Sequence, residues 1–537
     1  MKTSKNLTII ILTGALGMAA GIWAAPIISG DNIYEQVRKF NDVLNLTSKN
    51  YVENVDTQKL TESAIKGMLG ELDPHSVYIS ADAMKKVTED FRGSFDGIGV
   101  EYDIVKDTIT VVTPISGGPS ESLGIQSGDK IVKIDNVSAI GLTRDEVPKK
   151  LRGPKGSVVR VTVKRSGVSG LTDYDITRDK IPIYTVDASF ILQGTDIGLI
   201  SINRFAENTH REFIEVARRL REQGMKKLIL DLRGNPGGYL DQARQLADEF
   251  LPTGEKIVFT KARRDDLSEE YFATAAGEFE KIPLIILVNA GSASASEIMS
   301  GAVQDLDRGL IVGETSFGKG LVQQQFSLGD GSAFRLTISK YYTPSGRLIQ
   351  RPYGDKSKYY KGEGREEGEE GDNLEHESDI TTADSNHPKF KTKSGRTVYG
   401  GGGITPDYIV KSDTITPLSR RLRSKNIFWA WTEAYLAGAG SSLRSQYGAD
   451  FDKFRQKFTI ADEQIASFKK LADEKESEWN YADFDKDKIY ITTMMRAYIA
   501  RAIWGNTAFY PIAFEIDKQT AKAVTLFPEA AKIARLQ

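Results

Sequence analysis

Three short segments carry residues whose types and spacing could do chemistry. The first is VNAGSASASEI, Val288 to Ile298. An apolar run leads into small residues and then into a helical pattern. A serine at such a turn stands at a helix N-terminus, where backbone N–H groups and the helix dipole favour a developing oxyanion. The alternation leaves Ser292, Ser294 and Ser296 all open as nucleophile. The same letters, Ser294-Ala295-Ser296-Glu297, also spell an S-x-x-E capping box with Ser294 as a plain N-cap, and most such boxes only cap.

The second segment is GETSFGKGLVQ, Gly313 to Gln323. It approaches a phosphate-binding loop, but Gly320 stands where the Mg²⁺-binding Ser or Thr belongs, and LVQQQFSL reads as a strand where a helix is required. A phosphate site is rejected on those grounds, which leaves a nucleotide-dependent enzyme only as a weaker rival reading. Lys319, flanked by glycines, can instead lie against the backbone and out of water. Burial lowers a lysine's pKa, and a neutral amine can act as general base. Gln323 follows four residues on and can orient the lysine or a serine. The third segment is LILDLRGNPGG, Leu228 to Gly238. Local rules make N-P-G-G a turn. Alternatively Gly237 or Gly238 leaves a backbone N–H open to an oxyanion, since no side chain blocks it.

What the chain lacks narrows the chemistry. It has no cysteine, which excludes disulfides, thiolate metal sites, a cysteine nucleophile and a lipidated N-terminal cysteine. Its four histidines, His75, His210, His376 and His387, fall in no HExxH or other zinc pattern. His75 reads as structural and His210 as a surface residue. No metal site or cofactor is expected. A serine enzyme with so little histidine would use lysine as its base. The net charge of −2 gives no global reason to expect nucleic acid as a partner.

At 537 residues, two to four domains are expected around these segments. Residues 1–30 read as a signal peptide or membrane anchor. Lys2 and Lys5 precede an apolar stretch from Leu7 to Ala25, with small residues near Ala24 and Ala25 for cleavage. Either reading places the rest outside the cytoplasm, in a periplasm, with a membrane as partner if the segment is kept. Residues 31–93 show helical periodicity, ending near Asp73-Pro74. Residues 94–180 switch to short strands punctuated by glycine and proline, with one helix near Arg144–Leu151. Residues 181–353 alternate near-continuous apolar strands with amphipathic helices, the pattern of an α/β core with covered strands. Residues 354–403 are acidic, polar and glycine-rich, and read as a flexible insertion. A core strand returns in 404–415. Residues 416–537 read as a helical bundle whose buried helix contains ITTMMRAYIARAIW.

Taken together, the three segments resemble the carboxyl-terminal processing, or tail-specific, proteases, over about Asp31 to Asp407. The resemblance implies an α+β multidomain protein with a PDZ domain, an α/β crotonase-like protease core and helical regions at both ends. It places the nucleophile at the middle serine of S-A-S-A-S-E, Ser294. The base is the lysine 25 residues on, Lys319, and Gln323 supports it. It implies an oxyanion hole from the N–H of Ala295 and of Gly237 or Gly238. In the PDZ domain, Gly97, Ile98, Gly99 and Val100 match the carboxylate-binding loop, which would receive a substrate's C-terminus. Arg152, in LRGPKGSVV, matches an arginine linking tail docking to alignment of the protease. The expected function is a serine endopeptidase acting on proteins presented by their C-terminal tails, with a homo-oligomer as one possible assembly. A non-catalytic tail-binding protein on the same scaffold is the alternative.

Overall fold

The structure is a computed structural model. It describes residues 32–536 apart from 116, 166, 275–276, 355–358, 360–386, 449 and 476–477. The expected signal or anchor in 1–30, most of the acidic stretch, and His376 lie outside the described residues. The chain divides into two units, Met1–Tyr78 and Ile79–Gln537.

The first unit holds helices α1 (Ile33–Asn50) and α2 (Thr57–Gly70). Asn32 and Asp56 cap them, each accepting a backbone N–H from the first turn. Beyond α2 the Asp73 carboxylate accepts the N–H groups of His75 and Ser76, which turns the chain at Pro74. The apolar residues Ile33, Val37, Phe40, Val43 and Leu46 of α1 are exposed.

In the second unit, α3 (Ala81–Arg92) leads into the expected PDZ fold. Its strands are β1 (Ser94–Gly97), β2 (Val100–Val105), β3 (Thr108–Pro114), β4 (Lys130–Ile134), β5 (Val158–Lys164), β6 (Thr172–Thr177) and β7 (Asp179–Pro182). β2 to β6 form an antiparallel sheet in that order, while β1 pairs with β7. Alternate residues Ile109, Val111, Val159, Val161 and Val163 face inward and are buried, the period-2 pattern of a half-covered sheet. Helix α4 (Glu146–Leu151) closes this core with Val147 and Leu151.

The core contains β8 (Val186–Ile191), β9 (Ile197–Ile202), α5 (Thr209–Glu222), β10 (Lys227–Asp231), α6 (Leu240–Asp248), β11 (Lys256–Ala262), β12 (Leu284–Val288), α7 (Ala295–Asp305), β13 (Leu310–Gly313), β14 (Leu321–Ser327), β15 (Ala333–Tyr342) and β16 (Tyr408–Ile409). One sheet runs β8-β9-β10-β12-β13-β16, parallel throughout except for β8 against β9. The central strand β12 is apolar and buried at every position because both faces of the sheet are covered. Leu228, Leu230 and Ile286 face α5, α6 and α7, while Ile229, Ile285 and Leu287 face the last helix of the chain. A second, antiparallel sheet joins β14 to β15 and β15 to β11. Thus LRGNPGG, NAGSAS and ETSFGKG leave the C-terminal ends of the neighbouring parallel strands β10, β12 and β13. That end of an open α/β sheet is where ligands bind.

One expectation is corrected here. Within the stretch read as a flexible insertion to residue 403, the described residues 387–403 are ordered. Lys389–Lys391 and Thr397–Tyr399 form a hairpin, and Arg396 ties it back to Asp307 and Asp407. The cause is long-range charge pairing, which composition does not reveal.

The C-terminal helices α8 (Pro417–Ser424), α9 (Ile427–Ala437), α10 (Asp462–Glu474), α11 (Tyr481–Trp504) and α12 (Asn506–Ala513) pack around Phe428, Trp431, Phe468, Ile491 and Met495. Helix α13 (Lys518–Ile533) then crosses the core sheet. The bundle also meets the PDZ sheet. Asn426 bonds Asp103, Arg501 pairs with Glu101, and Trp429 and Ala502 pack on Val112. Arg233 of the core pairs with Asp517 at 2.7 Å, so the C-terminal helices join this β-rich sheet to the α/β core.

Glu433 of α9 lies at that junction. Burial pushes its carboxyl up to about 7, Asp103 adds to the rise, and Lys130 and Lys475 oppose it. The folded state therefore holds this proton more tightly than the unfolded chain, whose glutamate titrates near 4.5. The associated stability is full below about 4.5 and is lost as pH rises through about 7. Thermal unfolding at pH 5.5 and 8 should show a smaller loss with rising pH in Glu433→Gln than in the parent. Equal losses would contradict this.

Candidate active site

The three serines of the turn after β12 separate in the structure. The Ser292 hydroxyl donates to the Leu232 carbonyl at 2.8 Å, and that of Ser296 to the Asn235 carbonyl at 3.0 Å. Both residues are fully buried. The half-buried Ser294 hydroxyl makes no hydrogen bond among the described residues. Ser294 also has φ +54°, in the left-handed region that a non-glycine residue rarely adopts.

The Ser294 N–H donates to Glu297 Oε2 at 2.8 Å, the return half of the capping box, and the Glu297 N–H donates to the Ser294 carbonyl at 2.9 Å. Tyr341 of β15 donates its hydroxyl to the same carbonyl at 3.1 Å.

Lys319 precedes β14, where its Nζ donates to Gln323 Oε1 at 2.9 Å. Its backbone N–H donates to Glu297 Oε2 at 2.9 Å, the oxygen that also holds Ser294. Glu297 Oε1 accepts the Ser316 hydroxyl at 2.6 Å and the Gly318 N–H at 2.7 Å. One buried carboxylate therefore fixes the backbones of both residues. Burial pushes the Glu297 carboxyl up from its ordinary range, while these four donors pull it down. The Tyr341 phenol is pushed well above its ordinary range by burial, with Glu297 adding to the rise.

The glycine pair after β10 lies against the same turn. The Gly237 N–H is taken by Asn235 Oδ1 at 2.8 Å. The N–H groups of Gly238 and Ala295 have no hydrogen-bond partner among the described residues. Gly237 has φ +96°, and a Cβ there would stand 2.8 Å from Ser294 Cβ and 2.8 Å from the Ala295 nitrogen. A Cβ on Gly238 would meet the Phe205 carbonyl oxygen at 2.0 Å. Only glycine allows both approaches.

The remaining sequence candidates lie apart from this turn. The Ile98 carbonyl accepts the Ser120 N–H and hydroxyl, and the Gly99 carbonyl accepts the Ile115 N–H. The N–H groups of Ile98 and Gly99 stay open among the described residues, next to Gly97 and to β2, which begins at Val100. Arg152 caps α4, stacks on Phe95 at 4.2 Å and pairs with Glu89 of α3. His210 is not the surface residue expected. It is half-buried and pairs with Glu249 at 2.8 Å, since α5 packs that side against α6. Sequence reading missed Tyr341 and Ser316, which carry no local signal. It saw Glu297 only as a cap. Among the described residues no group of three or more acidic, histidine or cysteine side chains could hold a metal, and no helix is long and apolar enough to cross a membrane.

Comparison with known proteins agrees with this layout. Residues 196–354 match peptidase family S41, 110–165 a PDZ domain, and 25–83 the N-terminal domain of the activating protease CtpB. Residues 418–505 match a family of unknown function. The carboxy-terminal-processing protease of Bartonella bacilliformis is 40% identical over 323 residues, 59% of this chain and 74% of the relative. The carboxy-terminal processing protease CtpB of Bacillus subtilis is 37% identical over 315 residues, 58% of this chain and 65% of the relative. Among solved structures, a photosystem II D1 C-terminal processing protease is 29% identical, covering 58% of this chain and 89% of that one, with a TM-score of 0.32. With a protease-family core, a PDZ domain and this extent of identity, the chain belongs to the carboxy-terminal processing proteases, serine-type peptidases of family S41.

Proposed function

We propose that the chain is an endopeptidase with a Ser294–Lys319 dyad that cuts extracytoplasmic proteins recognised by their C-terminal tails. Ser294 Oγ attacks the scissile carbonyl, and the neutral Lys319 amine accepts its proton. Gln323 orients that amine. The open N–H groups of Ala295 and Gly238 receive the oxyanion, while Gly237 serves by letting the glycine turn approach Ser294. The single observation that carries this reading is the Glu297 carboxylate oxygen shared by the Ser294 and Lys319 backbones. It couples Ser294 and Lys319, 25 residues apart, which a purely tail-binding protein has no chemical reason to register together.

The PDZ domain would hold the substrate. Its open N–H groups at Ile98 and Gly99 suit a terminal carboxylate, with the tail laid beside β2. Arg152 at the end of α4 would report that binding to α3 through Glu89. The lysine-led apolar N-terminus supports action outside the cytoplasm, which cell fractionation reports. The exposed apolar stripe of α1 supports a homo-oligomer, which sedimentation of the full chain reports.

An unfolded protein ending in apolar residues tests the reading. The full chain should cleave it. Amidation of its terminal carboxylate should raise KM by about tenfold, the loss expected for a charge-assisted hydrogen-bond site. Failure to cleave any unfolded substrate would overturn the proteolytic reading. Cleavage indifferent to amidation would overturn tail recognition alone.

A further inference from the structure

The β14–β15 ribbon carries a cation that the dyad does not use. Antiparallel pairing sets Gln323 opposite Thr337 and Gln325 opposite Arg335. Directly opposed residues share a face, as do residues two apart in a strand. Gln323, Gln325, Thr337 and Arg335 therefore stand on one face, with Arg335 one step along from the Lys319–Gln323 hydrogen bond. From the other side, the Arg335 guanidinium lies 5.2 Å from the centre of the Phe91 ring. Phe91 meets Tyr239 edge-on at 5.0 Å, and Tyr239 directly follows Gly238. Arg335 thus spans from the lysine side of the cleft to the glycine side.

Its surroundings lack an anion. Arg233, Arg347 and Arg396 each hold a carboxylate. Half-buried Arg335 has one long hydrogen bond, Nε to Gln325 Oε1 at 3.3 Å, and no carboxylate partner among the described residues. Burial pulls its pKa down, with Tyr239 opposing. A guanidinium presents forked donors that fit a carboxylate, and Phe91 with the 44%-exposed Tyr239 offers an apolar wall beside it.

We propose that Arg335 is a specificity-determining subsite that binds a carboxylate of the peptide substrate, close to the scissile bond. An acidic residue at one fixed substrate position is then favoured over a basic one. The proposal rests on the Ser294–Lys319 reading for the place of the cut. The carboxylate has two sources, an Asp or Glu side chain or the α-carboxylate of a shortened peptide.

The test uses one unstructured peptide made in versions with Glu, Gln or Lys at each position flanking the cut, with free or amidated ends. Binding to full-length Ser294→Ala is read by fluorescence anisotropy, so it does not depend on catalysis, and kcat/KM is read with the parent chain. Glu should be preferred over Lys by about tenfold at one position, as for a partly desolvated charge pair. Arg335→Glu should invert that ratio, Arg335→Met should abolish it and Arg335→Lys should keep part of it. If amidation alone removes the preference, the α-carboxylate is the ligand. An equal Glu-to-Lys ratio in the parent and in Arg335→Met overturns the proposal. So does lowered activity in Arg335→Met with the ratio kept, which marks a structural arginine. A preference seen in binding while Ser294→Ala still cleaves would keep the subsite and sink the dyad.

Discussion

Ser294→Ala is expected to remain folded and to lose at least about 10⁴-fold in cleavage rate, the scale seen when a serine nucleophile is removed. The structure gives reasons for both halves. The Ser294 hydroxyl makes no hydrogen bond among the described residues, so its removal leaves no buried group unsatisfied. The stability change should stay within about 0.5 kcal/mol. The backbone strain at φ +54° is borne by the surrounding bonds from Glu297 and Tyr341, which alanine leaves in place. Lys319→Ala should cost activity on a similar scale, because in the proposed dyad the two residues act as one unit and their losses do not add. With the parent chain, activity should rise with pH as the proposed base, the Lys319 amine, loses its proton. Circular dichroism melting checks the fold, and cleavage of an unfolded substrate checks the chemistry. Undiminished cleavage by folded Ser294→Ala would move the nucleophile elsewhere. A rate that does not rise with pH would remove the lysine base.

The elements around the site were legible because each is a local pattern. The apolar runs at Leu228–Leu230 and Leu284–Val288 read as buried strands between helices, and the change of period at Ser94 marked a β-rich module that the resemblance made a PDZ domain. The spacing from Ser294 to Lys319 was legible only through resemblance. Which serine is open was not, because Ser292 and Ser296 are told apart by carbonyls of Leu232 and Asn235, some 60 residues away in sequence. Nor could the sequence choose between Gly237 and Gly238. That choice rests on Asn235, whose side chain takes one N–H and leaves the other open. The bundle's grip on the PDZ sheet was hidden for the same reason. Arg501 and Glu101 lie 400 residues apart, and neither carries a local mark of its partner.

Glu297 is where local and distant information meet, and its replacement should have the second large effect. Its carboxylate is wholly buried and accepts four donors, two on each oxygen. Glu297→Ala would leave all four without an acceptor. Each buried orphan costs about 1–3 kcal/mol, so this variant should melt far below the parent or fail to fold. Glu297→Gln separates stability from chemistry. It keeps the shape and one acceptor oxygen, but turns an amide N–H₂ toward donors that need an acceptor. The loops bearing Ser294 and Lys319 should then shift apart, and misplacement by about 1 Å can cost 10²-fold in rate. On the proposed reading, in which the PDZ domain holds the tail, the loss should fall on kcat with KM nearly kept. Acid should mimic it in the parent. Because burial raises the Glu297 pKa, protonation on lowering pH sets in above the ordinary glutamate range and puts an O–H against one of the donors. A folded Glu297→Gln with parental kcat would show that the shared carboxylate only stabilises the fold. A fall in KM-dependent binding alone would place its role in the PDZ domain, where it makes no contact.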